Sequence, residues 1–502
     1  MPKFLLVILP ALPEVVLFLG IFFLYSSSLL VRKDSSMTRI HSIVEEVVWF
    51  VLWVAVGLIT LYDIKGGLNL FKLTQQFDPT LQQTTFSGML TVDLFTKVGK
   101  VVMSAWILIV LASYWRKGGD RLGHNVLISI SVTLLGGFLA LSSNDLRLLL
   151  LAMGLMNVGI LFFFADKKSS EHVLIFRFYK TLGIGLALLS LGSACLYAAT
   201  GTTDLVALSK SCWRMGPLAA GNALVYLGLL LAFVGLCTYM LLFPFQGLSL
   251  ELASISSLPL FLIIRFLLRY LPFFLLLRVF ALFCETDLRP IFLILGAVNV
   301  GLGWLGSLTR NSLAQAITCY EMGDFGAYFI GLAAAGLDAV PGILLMLFVS
   351  LLASLVMLGA LTHTPSHGLS IRTFDDLATA PHRPFIVRLL VGISILSCVG
   401  LPPFPGLMSF LVYAQNLLEH DAIFTLVLMV AFKMVSMGVG LNVIRALTSV
   451  NKSQAALTSS SGWSYPILSC GLAMLLMFSV AKTDSIVNFL SLTETTLRSY
   501  LE

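Results

Sequence analysis

Apolar windows of membrane-spanning length recur along almost the whole chain and leave little sequence for anything else. They fall at 4–31, 44–62, 93–114, 124–143, 146–165, 173–199, 219–243, 259–282, 291–308, 312–335, 339–361, 385–401, 423–447 and 463–481. A helix needs ~20 apolar residues to cross the hydrocarbon core of a bilayer. Hydrophobic residues make up 58% of the 502 and charged ones only 11%, where soluble domains carry about 25%. The mean hydropathy is +0.96. The expected fold class is an all-α polytopic membrane protein of about 14 transmembrane helices, which excludes a large soluble domain. Met1-Pro2-Lys3 opens directly onto an apolar stretch without a basic leader or a small-residue cleavage site, so a first span is expected there rather than a signal peptide.

Basic residues cluster in alternate loops: Arg32, Lys33 and Arg39, then Arg116, Lys117 and Arg121, then Lys167 and Lys168, then Arg372 and Arg383, then Lys452. Lys and Arg favour the cytoplasmic side. That bias places the odd loops in the cytoplasm and both termini on the periplasmic side. The net charge of +6 is thus a topology signal and gives no reason to expect a nucleic-acid partner.

Two apolar stretches are interrupted by proline, at Phe243-Pro244-Phe245 and at Pro402-Pro403-Phe404-Pro405-Gly406. Proline removes a backbone donor, and unpaired backbone is tolerated at membrane depth only inside protein or along a wet cavity. Each break falls in the fourth helix of a five-helix set, and paired interruptions in corresponding halves mark inverted-repeat transporters; two ordinary kinks are the plainer alternative. The expected organisation is an N-terminal three-helix segment over 1–123, a first five-helix repeat over 124–282, a second, inverted one over 291–447, and a C-terminal helix and tail over 448–502.

Charges inside these windows are costly, ~2.5–3.5 kcal/mol each at a helix centre, and so mark candidate functional residues. Arg265 and Arg269 lie four apart, a spacing that shares one α-helical face. Glu321 and Asp324 lie three apart on another helix, and Lys433 sits near the middle of a third. Arg177 and Lys180, like Lys97 and Lys100, are close to helix ends, where snorkelling to the surface is the plainer role. For the deeper group, structural ion pairing competes with membership of a proton or ion path. Lysine and carboxylates exchange protons readily when buried; arginine stays charged and serves better to tune a neighbour.

The seven cysteines are scattered, with no Cys-x-x-Cys, so neither an iron–sulfur cluster nor a zinc site is expected. Gly183-x-Gly185 lies within an apolar helix and lacks the strand and acidic residue of a dinucleotide fingerprint. His41, His124, His172, His363, His367, His382 and His420 fall in or near loops. No redox, cofactor or metal chemistry is therefore expected of this chain itself.

Several short stretches resemble one known family. They are Leu12-Pro13-Glu14, Val92-Asp93-Leu94-Phe95, Ser142-Ser143-Asn144-Asp145-Leu146 and Thr200-Gly201-Thr202-Thr203. To these add Phe243-Pro244-Phe245, Phe374-Asp375-Asp376-Leu377 with Arg383-Pro384, and Gly400-Leu401-Pro402-Pro403 with Gly406. In order and spacing the chain resembles subunit N of the bacterial proton-translocating NADH:quinone oxidoreductase, respiratory complex I, of the Mrp-antiporter-like superfamily. The resemblance implies a multi-pass subunit of the bacterial inner membrane. Its company would be the bilayer and other complex I membrane subunits, and it would contribute proton translocation without a redox site. NADH, FMN, iron–sulfur clusters and the quinone-reducing site would belong to partners.

The resemblance also implies relay residues that this sequence replaces. The family's fifth-helix glutamate falls on Gly154, its seventh-helix lysine on Tyr239, and the histidine after the first break on Gln246. Its sixth-, eighth- and twelfth-helix lysines fall on Arg177, Arg269 and Phe410, and a histidine near the tenth helix on Asp324. Either the path is rebuilt from Glu321, Asp324, Lys433 and the arginines, or the copy serves assembly only. A Mrp-type cation/proton antiporter subunit is the competing function, and a non-pumping structural paralogue the third. The candidate site residues are Arg265, Arg269, Lys433, Glu321, Asp324, Arg177, Lys180 and Tyr239, with helix breaks at Pro244, Pro402, Pro403 and Pro405.

Overall fold

The computed structural model describes residues 11–31, 47–60, 83–85, 88–114, 124–163, 172–214, 222–255, 258–280, 289–362, 385–448, 472–473, 475–477, 479 and 483–498. The loop motif 374–384, most of the window 463–481 and the basic loops around Arg32, Arg116, Lys167, Arg372 and Lys452 lie outside these residues. Helices follow the apolar windows closely, because a backbone away from water must satisfy its own donors and acceptors. Seven described helices are long and apolar enough to cross a membrane, among them Leu94–Ala112, Leu146–Phe163, Val173–Thr200 and Ile423–Arg445. Shorter apolar helices include Val47–Thr60 and Val387–Val399. The chain is not purely α-helical. Gln83–Thr85 pairs antiparallel with Leu90–Val92 in a small hairpin.

The chain divides into two compact units. The first comprises Met1–Met240, Leu267–Thr286 and Thr495–Glu502, the second Leu241–Phe266 and Asp287–Glu494. After its break the chain runs on as Gln246–Ile255, which belongs to the second unit and bonds there through Gln315 Nε2 to the Leu250 carbonyl, 3.4 Å.

In the first unit, helix His124–Ser142 packs on Leu146–Phe163. The crossing depends on glycine. A Cβ on Gly136 would stand 2.8 Å from the Ala152 carbonyl oxygen, and one on Gly159 would stand 3.0 Å from the Ser129 carbonyl oxygen. The second unit repeats this packing between Arg289–Leu308 and Leu313–Ala335. There Gly303 meets the Cys319 carbonyl and Gly326 the Gly296 carbonyl, each 2.7 Å from the added Cβ. All four residue pairs correspond at one constant interval in sequence.

The two breaks also match. Phe243–Pro244 and Pro402–Pro403 are both cis. Phe245 N donates to the Leu242 carbonyl, 2.6 Å, and Phe404 N to that of Leu401, 2.8 Å. Helices restart at Gln246 and at Pro405. Pro405 therefore opens a helix at its first turn, where proline is favoured, instead of breaking one. Leu241 and Gly400, one residue before each turn, have φ of 50° and 77°.

Candidate functional site

Helix Leu313–Ala335 is buried along nearly its whole length, although it carries Tyr320, Glu321 and Asp324. An isolated charge cannot stay ionised in such surroundings, so each carboxylate has a partner. Arg265 Nε lies 2.8 Å from Glu321 Oε1, and Lys433 Nζ lies 3.0 Å from Asp324 Oδ1. Exposures of 4%, 5%, 3% and 6% for Arg265, Glu321, Lys433 and Asp324 put all four out of bulk contact. Two cations and two carboxylates balance in number.

Neighbours extend the cluster. Trp304 Nε1 donates to Asp324 Oδ1, 3.1 Å. Lys433 Nζ donates to the Tyr320 hydroxyl, which donates in turn to the Val399 carbonyl, 3.0 Å. Val399 ends the helix Phe385–Val399 just ahead of the second proline break. A carbonyl that the break leaves without its helical donor thus reaches the ammonium through one hydroxyl. Lys433 Nζ also sits over three rings, 4.6 Å from the centroid of Tyr320, 4.8 Å from that of Trp304 and 5.5 Å from that of Phe410. Such contacts add ~0.5–2 kcal/mol each, the more so when desolvated.

The local folds explain these placements. Arg265 closes the helix Leu258–Arg265, and a π-helical turn follows over Phe266–Tyr270. Trp304 lies in a second π-helical turn, Gly301–Leu305, with Gly323 beneath its indole, where a Cβ would collide with the ring. π-Turns are uncommon and recur at functional sites. Lys433 lies on a helix that continues from Ile423–Ser436 through Met437, whose N–H donates to the Lys433 carbonyl, 3.1 Å, into Gly438–Thr448. Arg265, Tyr320, Glu321, Asp324, Ser394 and Cys398 line a cavity of about 20 Å³; one water needs ~10–15 Å³ on this measure.

Several sequence expectations change here. Arg265 closes an α-helix, whereas Arg269 lies inside the π-helical turn that follows it. Arg265 belongs to the second unit, and Arg269, 3% exposed, to the first. Arg177 and Lys180, placed among the candidate buried charges, are exposed on helix His172–Thr200, on a face this chain does not cover. Tyr239 is buried and accepts a hydrogen bond from Asn157 Nδ2, 2.8 Å, within the first unit. Pro244, Pro402 and Pro403 are exposed and Pro405 is buried. At the first break, Phe243 N donates to Asn299 Oδ1, 3.0 Å, which satisfies a backbone donor the helix has lost.

Lys100 does not snorkel. It is 2% exposed and its Nζ lies 2.5 Å from Glu14 Oε1, to which Ser142 Oγ also donates, 3.0 Å. Nearby in that unit Arg278 meets Asp93 at 3.5 Å and donates through Nε to the Ser143 carbonyl, 3.0 Å. It also donates to Thr91, tying the hairpin to the helices. Glu14 and Asp93 sit in two of the quoted motif stretches, but sequence gave no sign of their partners. Among the described residues no group of His, Cys, Asp and Glu is arranged to hold a metal ion.

With this geometry in view, comparisons place the chain. Residues 143–436 match the family model described as NADH:quinone oxidoreductase/Mrp antiporter, TM, more than half of the sequence. The chain belongs to this family. A relative from Parvibaculum lavamentivorans, named NADH-quinone oxidoreductase subunit N, is 22% identical over 409 residues, covering 79% of each chain. One of the same name from Sphingopyxis alaskensis is 25% identical over 340 residues, covering 65% of this chain and 69% of its own.

Three solved assemblies contain chains of the same fold. A chain of the archaeal membrane-bound sulfane sulfur reductase aligns with a TM-score of 0.81 at 16% identity, covering 98% of this chain and 99% of its own. One from Thermus thermophilus respiratory complex I gives 0.73 at 17%, covering 95% and 98%. One from the Dietzia Mrp complex gives 0.75 at 13%, covering 98% of each. All three are multi-subunit membrane complexes, so fold alone does not separate their activities. The Lys433 ammonium lies over the ring of Phe410, which belongs to another helix.

Proposed function

We propose that this chain is a membrane-arm subunit of an NADH:quinone oxidoreductase and moves protons in step with electron transfer carried out by its partners. The observation that carries the reading is the contiguous run Val399 carbonyl, Tyr320, Lys433, Asp324 and Trp304. It connects a proline-broken helix to a balanced, exchangeable ion pair beside a water-sized cavity. Lysine and carboxylate are the groups whose protonation responds to such surroundings. Arg265 keeps its charge and holds Glu321. The rebuilt-path account is therefore preferred to a purely structural role. The curated relatives' shared name supports the complex I assignment over the Mrp one.

In this reading the chain has 14 membrane helices, three ahead of two inverted five-helix repeats and one after. The matched glycine crossings and matched breaks support the repeats. It lies in the bacterial inner membrane with both termini periplasmic, among other membrane subunits. NADH, FMN, iron–sulfur clusters and quinone reduction belong to those partners. The test is affinity purification of the tagged chain from native membranes. NADH:quinone activity and a flavoprotein arm should co-purify. A preparation containing only small hydrophobic partners and no redox protein would favour the Mrp reading, which the shared fold of the Dietzia complex keeps as the alternative.

A further inference from the structure

The repeated helix crossing gives each residue of the charged helix a counterpart in the other unit. The interval that carries Gly136 to Gly303 and Gly159 to Gly326 carries Gly154 to Glu321 and Asn157 to Asp324. The interval between the two breaks carries Tyr239 to Cys398. The same local architecture is therefore present twice with different chemistry. In the second unit, Glu321, Asp324 and Cys398 line one cavity with Arg265. In the first, Asn157 Nδ2 bonds the Tyr239 hydroxyl at 2.8 Å, and Gly154 contributes no side chain at all.

An amide takes up no proton in the physiological range, and an ordinary phenol ionises only near pH 10. A Cβ on Gly154 would meet nothing within 4 Å among the described residues. Salt bridges described in the first unit lie at other positions. Glu14 and Lys100 meet Ser142 at a helix end, and Asp93 and Arg278 hold the hairpin. Arg269 is buried but, as an arginine, keeps its proton.

We propose that, of the two repeated crossings, only the one in the second unit exchanges protons, and that Asn157–Tyr239 is an electrically silent counterpart that only holds two helices together. The inference rests on reading the Arg265–Glu321 and Lys433–Asp324 cluster as an exchange site. A two-repeat translocator thereby becomes one with a single working centre.

The experiment compares matched positions in the intact complex reconstituted into liposomes, with proton uptake followed by a pH-sensitive dye during NADH oxidation. Glu321→Gln should lower the ratio of protons taken up to NADH oxidised by the share that this chain carries. Asn157→Leu, and the milder Asn157→Ser in case the first fails to assemble, should leave that ratio unchanged. A loss in either Asn157 variant equal to that of Glu321→Gln, with assembly intact by native gel, overturns the confinement and leaves the exchange site standing. An unchanged ratio in Glu321→Gln overturns the exchange-site reading itself.

Discussion

At the residue scale the second unit shows how a membrane interior keeps four charges. Each is paired, so removing one partner strands the other. Such removal costs ~3–5 kcal/mol, whereas replacing both by apolar groups of similar volume is often neutral. Asp324→Leu should therefore lower the thermal midpoint in nanodiscs, and adding Lys433→Met should recover most of it; failure of that recovery would mean the pair does not act as a unit. Tyr320→Phe removes the hydroxyl between Lys433 and the Val399 carbonyl. Losing a buried hydrogen-bond partner costs ~1–3 kcal/mol. Proton uptake per NADH should fall with a changed pH profile, while a purely structural Tyr320 would shift only the melting curve. The four charges were visible in the sequence because each violates the apolar rule of its window. Their pairing was not. Which cation meets Glu321 depends on helix rotation, and the π-turn at Phe266–Tyr270 leaves no mark that separates Arg265 from Arg269. Tyr320 and Trp304 were hidden for another reason, since aromatic residues in an apolar helix look like ordinary core.

At the element scale two glycine-dependent crossings and two proline breaks set the architecture. Gly136→Leu or Gly303→Leu would force helices apart at contacts already below 3 Å to backbone oxygen, and overpacking of this kind costs ~1–3 kcal/mol or more. Gly154→Ala meets open space and should stabilise by ~0.4–1 kcal/mol through reduced unfolded-state freedom. Thermal melts of the three variants check the contrast. Outside the spanning segments, Asp145 binds Arg147 and accepts from Thr203 Oγ1, 2.9 Å. The Arg147 hydrogen bond holds its carboxyl below the usual range, against burial, which works the other way. A depressed folded value means the stabilisation is complete above the unfolded value near 3.9 and is lost as pH falls through the folded one. Amide exchange at Leu146, whose N–H donates to the Thr203 carbonyl, should stay slow, after correction for intrinsic chemistry, down to about pH 4 and quicken only below it. Helix positions were legible because apolar length fixes them. The hairpin was not, because it rests on the distant Arg278.

At the scale of the whole molecule, one family fold carries two similar local architectures with unequal chemistry. The breaks at Phe243–Pro244 and Pro402–Pro403 could be matched from sequence alone, but the contrast between Asn157–Tyr239 and the Lys433–Asp324 pair emerged only when the crossings were compared. The charge-balanced double variant Lys433→Met with Asp324→Asn tests the account most directly, because it strands no charge and leaves the helices packed. In the reconstituted complex, with NADH oxidation and assembly retained, proton uptake per NADH should drop well below that of the unaltered complex. An unchanged ratio would contradict the account and reduce the cluster to a structural ion pair.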